Sequence, residues 1–271
     1  MKILITGANG FLGKYLAKNL VDHEIHAFTR QQLNLADANA VKEHFMLAKY
    51  DTVIHCGIAG RNTPMAEDWK IVSNNLASVL NLMTYKNKFG QLINIGTGAE
   101  FDISMPIDNI REIEIFHRNP KQSYGLSKNI IARYLLEQPN CFTLRLFGCF
   151  DSSDDDRRLL KKFHSAVSAG NQFDLQDRNF DMISARDFVT VVRAVLNNTI
   201  TDADINCVYT KKYRLSEILC VYCDIHGLNR SLIKITGQGL NYTGNGDTLS
   251  KYHLNLLELE QSLAHYEIKS Q

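Results

Sequence analysis

Met1 to Leu20 reads MKILITGANGFLGKYLAKNL. Lys2 to Thr6 is a short apolar run of the kind that fills a buried parallel strand. It leads directly into Gly7, Gly10 and Gly13, while Phe11, Leu12, Tyr15, Leu16 and Leu20 recur at helical spacing. The stretch therefore predicts strand, glycine turn and helix, the first half of a βαβ unit. Backbone without side chains can come close to a pyrophosphate, and a helix start offers it free N–H groups and partial positive charge. The spacing G-x-x-G-x-x-G is one residue longer at its first gap than the dinucleotide fingerprint G-x-G-x-x-G. Asn9, Phe11 and Leu12, lying among the glycines, are expected to share their contacts with a bound dinucleotide.

The alternation continues outward from that stretch. Glu24 to Thr29 reads as a strand, and Asp37 to Lys49 as a helix with Val41, Phe45, Met46 and Ala48 on its apolar side. TVIHC (52–56) is the next buried strand, Trp69 to Tyr85 a long helix, QLINI (91–95) another strand, Lys121 to Glu137 a helix and CFTLRLF (141–147) a further strand. Strands and helices alternating in this way predict an α/β fold: a doubly wound parallel sheet of Rossmann type, with ligand sites at the carboxyl ends of its strands. Beyond Phe150 the pattern is mixed. Arg157 to Gly170, Ala185 to Asn197 and Leu215 to Gly227 read as helical, Arg178 to Ser184 as extended, and the glycine-rich stretch Thr236 to Asp247 as loop. The whole chain is expected to form one unit, with residues 1–150 binding the dinucleotide and 151–271 making a small substrate lobe interleaved with the main sheet.

Composition narrows the partners. The 271 residues carry a formal net charge of +1, which does not suggest nucleic acid or an anionic membrane surface. No apolar run approaches the roughly 20 residues needed to span a bilayer. Met1 leads straight into the first strand, without the pattern of a signal peptide, so a cytoplasmic protein is expected. The six cysteines lie scattered in apolar stretches, as buried reduced thiols do. Cys220 and Cys223 form a C-x-x-C with His226 close behind, but no second pair completes a four-ligand zinc site, and no metal is expected.

Three places carry chemistry. The second strand ends Phe28-Thr29-Arg30, where an acid would hold the ribose hydroxyls of NAD and a basic residue can accept the 2′-phosphate of NADP. The guanidinium of Arg30 suits phosphate through forked, charge-assisted hydrogen bonds, so NADP(H) is the preferred cofactor and NAD(H) the alternative. Tyr124 and Lys128 lie one helical turn apart in KQSYGLSKNIIARYLL. A phenol titrates near pH 10, and an adjacent ammonium favours the phenolate, which suits proton exchange with a hydroxyl or carbonyl. A third member, a hydroxyl at the end of the 91–95 strand, is supplied by Thr97 in NIGTGAEFD, flanked by Gly96 and Gly98, which allow close approach.

Gly7/Gly10/Gly13, the Thr97–Tyr124–Lys128 set, TLRLFG and DRNFDMISARDFV together resemble the extended short-chain dehydrogenase/reductases, and among these the nucleotide-sugar epimerases and reductases. TRQQLNLADANAVKEHF is similar to the corresponding stretch of the GDP-fucose synthase group. The resemblance implies a nucleotide-sugar substrate and a homodimer built on the Trp69–Tyr85 and Tyr124 helices. Arg30 would read the 2′-phosphate, and Asn34 and Leu35 would flank the adenine. Cys56, Gly57 and Ile58 would line the cofactor, with Asn75, Ile95 and Phe147 beside it, and Lys128 would also hold the nicotinamide ribose. Thr97, Gly98, Ala99, Gly148 and Arg178 would meet the substrate.

Departures from the family pattern sharpen this reading. The dehydratases place an Asp-Glu pair straight after the threonine; here Gly98 and Ala99 stand there, with Glu100 displaced by one, which speaks against dehydration. Gly148 replaces a common asparagine. The arginine that grips the nucleotide diphosphate aligns with Phe180, and Arg178 stands two residues earlier. No cysteine occupies the place where GDP-fucose synthases use one to move protons. Plain NADPH-dependent reduction of a 4-keto-6-deoxy sugar is therefore the leading expectation. A nucleotide-sugar 4-epimerase retaining NAD shares the same three residues and is the alternative. A non-catalytic cofactor-binding regulator is the third possibility, opposed by the intact Thr97/Tyr124/Lys128 set.

Overall fold

The computed structural model describes residues 1–60 and 68–266. In chain order the first elements are β1 (Lys2–Thr6), α1 (Phe11–Asn19), β2 (Glu24–Phe28), α2 (Ala38–Leu47), β3 (Tyr50–His55), α3 (Trp69–Thr84), β4 (Phe89–Thr97), β5 (Ile107–Ile110), α4 (Ser123–Leu136), β6 (Cys141–Leu146) and β7 (Cys149–Phe150). They continue with α5 (Leu159–Ser168), β8 (Phe173–Asp177), β9 (Ile183–Ser184), α6 (Ala185–Leu196), β10 (Asp204–Asn206), α7 (Leu215–His226), β11 (Ile233–Gln238), β12 (Tyr242–Gly244), α8 (Asp247–Ser250) and α9 (Glu258–Ala264).

The central sheet has six strands in the order β10-β6-β4-β3-β1-β2. β1 pairs in parallel with both β2 and β3, and β3 in parallel with β4. The order reverses at β1, where the chain winds first to one side and then to the other. This is the doubly wound, Rossmann-type arrangement read from the sequence, and its switch point lies at the carboxyl ends of β1 and β3. Ile3, Leu4 and Ile5 on β1 and Val53 and Ile54 on β3 are fully buried, which is why these strands read as continuous apolar runs.

The chain divides into two compact units. One comprises residues 1–104, 112–145 and 198–205, and the other 105–111, 146–197 and 206–271. In the first, Leu4, Val53 and Leu92 of the sheet pack with Val41 and Phe45 of α2, Val79 and Leu82 of α3, and Ile131 and Leu135 of α4. Asp37 caps α2 by accepting from the Asn39 and Ala40 amides, and Asp68 caps α3 through the Lys70 amide. Met46, expected on the apolar side of α2, is instead 67% exposed, because it lies about 100° round the helix from the buried Phe45.

His55, at the end of β3, is paired across the ladder with Thr6, whose hydroxyl is hydrogen-bonded to its Nδ1 at 2.9 Å. Burial, aided by the Lys128 charge, pushes its pKa down to about 3. An unfolded histidine accepts a proton below its ordinary value of 6.5 that the folded one refuses. The stability from this site is therefore present above pH 6.5 and is lost as pH falls below it. From pH 6.5 to 5 the loss is about 2 kcal/mol, at about 1.36 kcal/mol per pH unit. The stability gap between wild type and His55→Gln should narrow by that amount over this range in denaturant melts. A gap that stays constant would show that His55 is not held neutral.

In the second unit, three two-stranded parallel ladders pair β11 with β8, β12 with β5 and β7 with β9. One expectation is corrected here. The glycine-rich stretch 236–247, read as loop, supplies the end of β11 and all of β12. The segment read as extended at 178–184 carries isolated bridges at Asn179 and Phe180 and the strand Ile183–Ser184, and a longer strand, β8, precedes it. Glycine belongs in β12 because a Cβ on Gly244 would stand 2.5 Å from the Phe147 ring. Among the described residues no helix is long and apolar enough to cross a membrane.

Candidate functional site

The turn after β1 is shaped by what glycine leaves out. Gly7 has φ +70°, and a Cβ there would lie 2.7 Å from the Gly57 backbone, so the turns after β1 and β3 touch main chain to main chain. A Cβ on Gly13 would stand 2.4 Å from the Gly7 carbonyl oxygen, so α1 seats directly on the turn. The Gly10 amide donates to that same oxygen at 2.9 Å. α1 begins at Gly10 with no side-chain cap and no acidic residue in its first turn. Its leading N–H groups therefore lack the side-chain acceptor that Asp37 supplies to α2, and an anion can take that place. Asn9 is exposed, Phe11 and Leu12 are half-buried, and Arg30 stands exposed two residues beyond β2.

The segment after β3 is fixed by α3. The Ala59 amide donates to Asn75 Oδ1 at 3.0 Å, and Asn75 Nδ2 donates to the Ala59 carbonyl at 3.1 Å and to Ser127 Oγ at 3.0 Å. One buried asparagine thus ties Ala59, which follows Cys56, Gly57 and Ile58, to the helix carrying Tyr124 and Lys128. Burial pushes the Cys56 thiol up to about 12, so it is a neutral lining group. Asn34 and Leu35 follow β2; the Leu35 side chain is buried in the core, and its carbonyl accepts from Asn81 Nδ2 at 2.8 Å.

β4 ends in Thr97, which caps a short 3-10 turn over Gly98–Phe101. Its hydroxyl accepts from the Ala99 amide at 3.3 Å, and its own amide donates to Glu100 Oε1 at 2.8 Å. The start of α4 lies against this turn, since a Cβ on Gly125 would be 2.5 Å from the Ala99 carbonyl oxygen. Tyr124, half-buried, is therefore brought to the segment that follows Thr97. Ser127 Oγ donates to the Tyr124 carbonyl at 2.9 Å. Lys128 is buried and donates to the Ile95 carbonyl at 2.5 Å. Burial lowers its pKa, opposed by the charge of Glu100.

Behind this site lie Glu100, which the sequence marked only as displaced from the dehydratase pattern, and Arg145, Asp204 and Asn129, which sequence reasoning did not single out. Glu100 is fully buried, with Oε2 accepting from Arg145 Nε at 2.6 Å, and Arg145 also meets Asp204 at 2.9 Å. Asn129 Nδ2 donates to the carbonyls of Glu100, Ile115 and Arg118 at 2.9–3.2 Å. The available signal was Arg145 itself, a charge in the middle of the apolar strand TLRLF.

In the second unit, Phe147 packs edge-on against Tyr242, which stacks on Phe180. Gly148 is overlain by backbone, since a Cβ there would meet the Asp181 carbonyl oxygen at 2.9 Å. Arg178 is half-buried with its guanidinium 5.2 Å from the centre of the Phe180 ring, and burial lowers its pKa. Among the described residues its buried Nε has no hydrogen-bond partner. The same residues contain no cluster of three or more His, Cys, Asp or Glu side chains able to hold a metal ion.

Known proteins share this fold. The GDP-L-colitose synthase of Yersinia pseudotuberculosis is 22% identical over 262 residues, spanning 86% of this chain and 84% of its own. A GDP-mannoheptose C4 reductase from Campylobacter jejuni, solved with NADP bound, matches with a TM-score of 0.81 at 19% identity, over 98% of this chain and 96% of that one. A dTDP-4-dehydrorhamnose reductase from Clostridium acetobutylicum matches with a TM-score of 0.82 at 21% identity, over 98% of each chain. At these identities the two structures speak for the fold alone. The family model of the NAD dependent epimerase/dehydratase family matches residues 3–207, from β1 through β10, and the chain belongs to that family.

Proposed function

We propose that the protein is an NADPH-dependent reductase of a nucleotide-linked sugar, acting on the keto group of a 4-keto-6-deoxy sugar. The observation that carries this reading is the packing of α4 on the turn after Thr97, which draws Thr97, Tyr124 and Lys128 toward the carboxyl end of β4. The uncapped start of α1 and the glycine turn fit a dinucleotide pyrophosphate, and NADPH bound there supplies hydride. The Thr97 hydroxyl hydrogen-bonds the sugar's carbonyl oxygen and polarises it. Tyr124 gives its phenolic proton to that oxygen. The Lys128 ammonium stabilises the phenolate that remains. Arg178, with its unpartnered buried Nε, takes the diphosphate that links sugar to nucleoside.

Cofactor choice separates this reading from a 4-epimerase, which uses the same three residues but regenerates its cofactor in place. β2 is followed by Thr29 and Arg30, with no acid to hold a ribose 2′-hydroxyl and a guanidinium free to meet a 2′-phosphate. That favours NADPH, which is consumed and exchanged each turnover. Arg30→Gln should lower the preference for NADPH over NADH by about 10-fold or more, or about 1.4 kcal/mol, in binding titrations. An unchanged preference would remove Arg30 from the 2′-phosphate site and return weight to the epimerase.

A further inference from the structure

We infer that Glu100 is a positioning residue for this reaction: its buried carboxylate pins the Thr97 backbone and supplies the negative charge that keeps Lys128 an ammonium. The inference rests on the catalytic reading above and on the geometry behind it. Both carboxylate oxygens accept hydrogen bonds, Oε1 from the Thr97 amide at 2.8 Å and Oε2 from Arg145 Nε at 2.6 Å. Burial raises the pKa of the Glu100 carboxyl, and the charges of Arg145 and Lys128, with the hydrogen bond from Arg145, act against that rise and favour the carboxylate. Arg145 also pairs with Asp204 and lies 4.7 Å from the centre of the Phe101 ring, so the anchor is held from more than one side. Room for the carboxylate depends on Gly96, where a Cβ would stand 2.9 Å from Oε1.

The same strand end serves Lys128, whose ammonium donates to the Ile95 carbonyl two residues before Thr97. The groups around Lys128 are Glu100 on the turn, Cys56 after β3, His55 on β3 and Tyr124 one turn earlier on α4. Burial keeps Cys56 and His55 neutral near pH 7. The Glu100 carboxylate is the charge that offsets the cost of burying the ammonium.

Glu100→Gln keeps the shape and can still accept from the Thr97 amide, but removes the charge. Without it Lys128 and Tyr124 both release protons more readily. The alkaline limb of the kcat–pH profile should therefore move about one pH unit or more to lower pH, the size expected when a close opposite charge is lost. Asp204→Asn, which loosens the same ion-pair chain one step further away, should lower the melting temperature and leave the limb in place. If Glu100→Gln only destabilises and the limb does not move, or if both variants move it equally, Glu100 is structural and the inference fails. A readout independent of any sugar is side-chain NMR of 13C-labelled lysine in the wild-type apoprotein, with Lys128 assigned from Lys128→Met. The inference requires an ammonium at pH 7, and a neutral amine there would overturn it even if Glu100→Gln did not fold. Absence of turnover on every keto sugar, with Lys128 charged in this measurement, would instead count against the reductase reading alone.

Discussion

Tyr124→Phe is expected to lower turnover on a nucleotide-linked keto sugar by about 10²-fold or more while leaving NADPH affinity within about twofold, the size of effect expected from losing one general acid. The substitution removes one oxygen and no carbon, so the ring's volume at the start of α4 is kept. Contacts that place this helix include Gly125 against the Ala99 carbonyl, Ser123 Oγ accepting from the Asp68 amide at 2.7 Å, and Ser127 bridging Asn75 to the Tyr124 carbonyl. A loss of turnover with unchanged melting temperature and cofactor binding therefore reads the phenol alone. The loss should fall in kcat, because the proton is transferred in the transition state rather than in substrate binding. Turnover near that of wild type would sink the assigned role of Tyr124.

The second large effect is expected at Gly13. An alanine Cβ there falls 2.4 Å from the Gly7 carbonyl oxygen and 2.9 Å from its carbon, and neither atom can swing aside as a side-chain tip could. α1 must lift from the turn, at a cost of about 1–3 kcal/mol for overpacking. The amides at the start of α1 move with it, so NADPH affinity should fall at least about 10-fold as well. At Gly10 the corresponding distance is 3.3 Å, and Gly10→Ala should cost less stability. Gly57→Ala, whose new Cβ meets nothing closer than 3.5 Å, should leave stability nearly unchanged. Thermal melts of the three variants, with and without NADPH, order them directly. A Gly13→Ala protein as stable as wild type and binding NADPH equally well would contradict the close packing of α1 on the turn.

How much was legible depended on how local the physics was. β1, the glycine turn and α1 follow one another within twenty residues, and each leaves its own mark in composition, so strand, turn and helix could all be read. That Tyr124 and Lys128 stand one turn apart on one helix was readable for the same reason. β5 and β12 were not, because Ile107 pairs with Tyr242 from the far end of the chain, and strands of three or four residues have no periodicity to detect. Glu100 and Arg145 lie 45 residues apart, and nothing in GTGAEFD announces that its acid is fully buried. α2 shows the finer limit: Phe45 and Met46 are both apolar, and only the helix's rotation against the sheet decides which of them points inward.

The central claim is that hydride moves from NADPH to the sugar with net consumption of the cofactor. The most direct measurement supplies the purified protein with NADPH deuterated at the transferring position and with a nucleotide-linked 4-keto-6-deoxy sugar. Nucleotide released on denaturing the untreated protein is identified alongside. Protein free of retained NAD, one NADPH oxidised per sugar consumed, and deuterium on C4 of the product are the expected results. Product carrying no deuterium, formed with no loss of NADPH by protein that holds NAD, would contradict that claim and identify an epimerase.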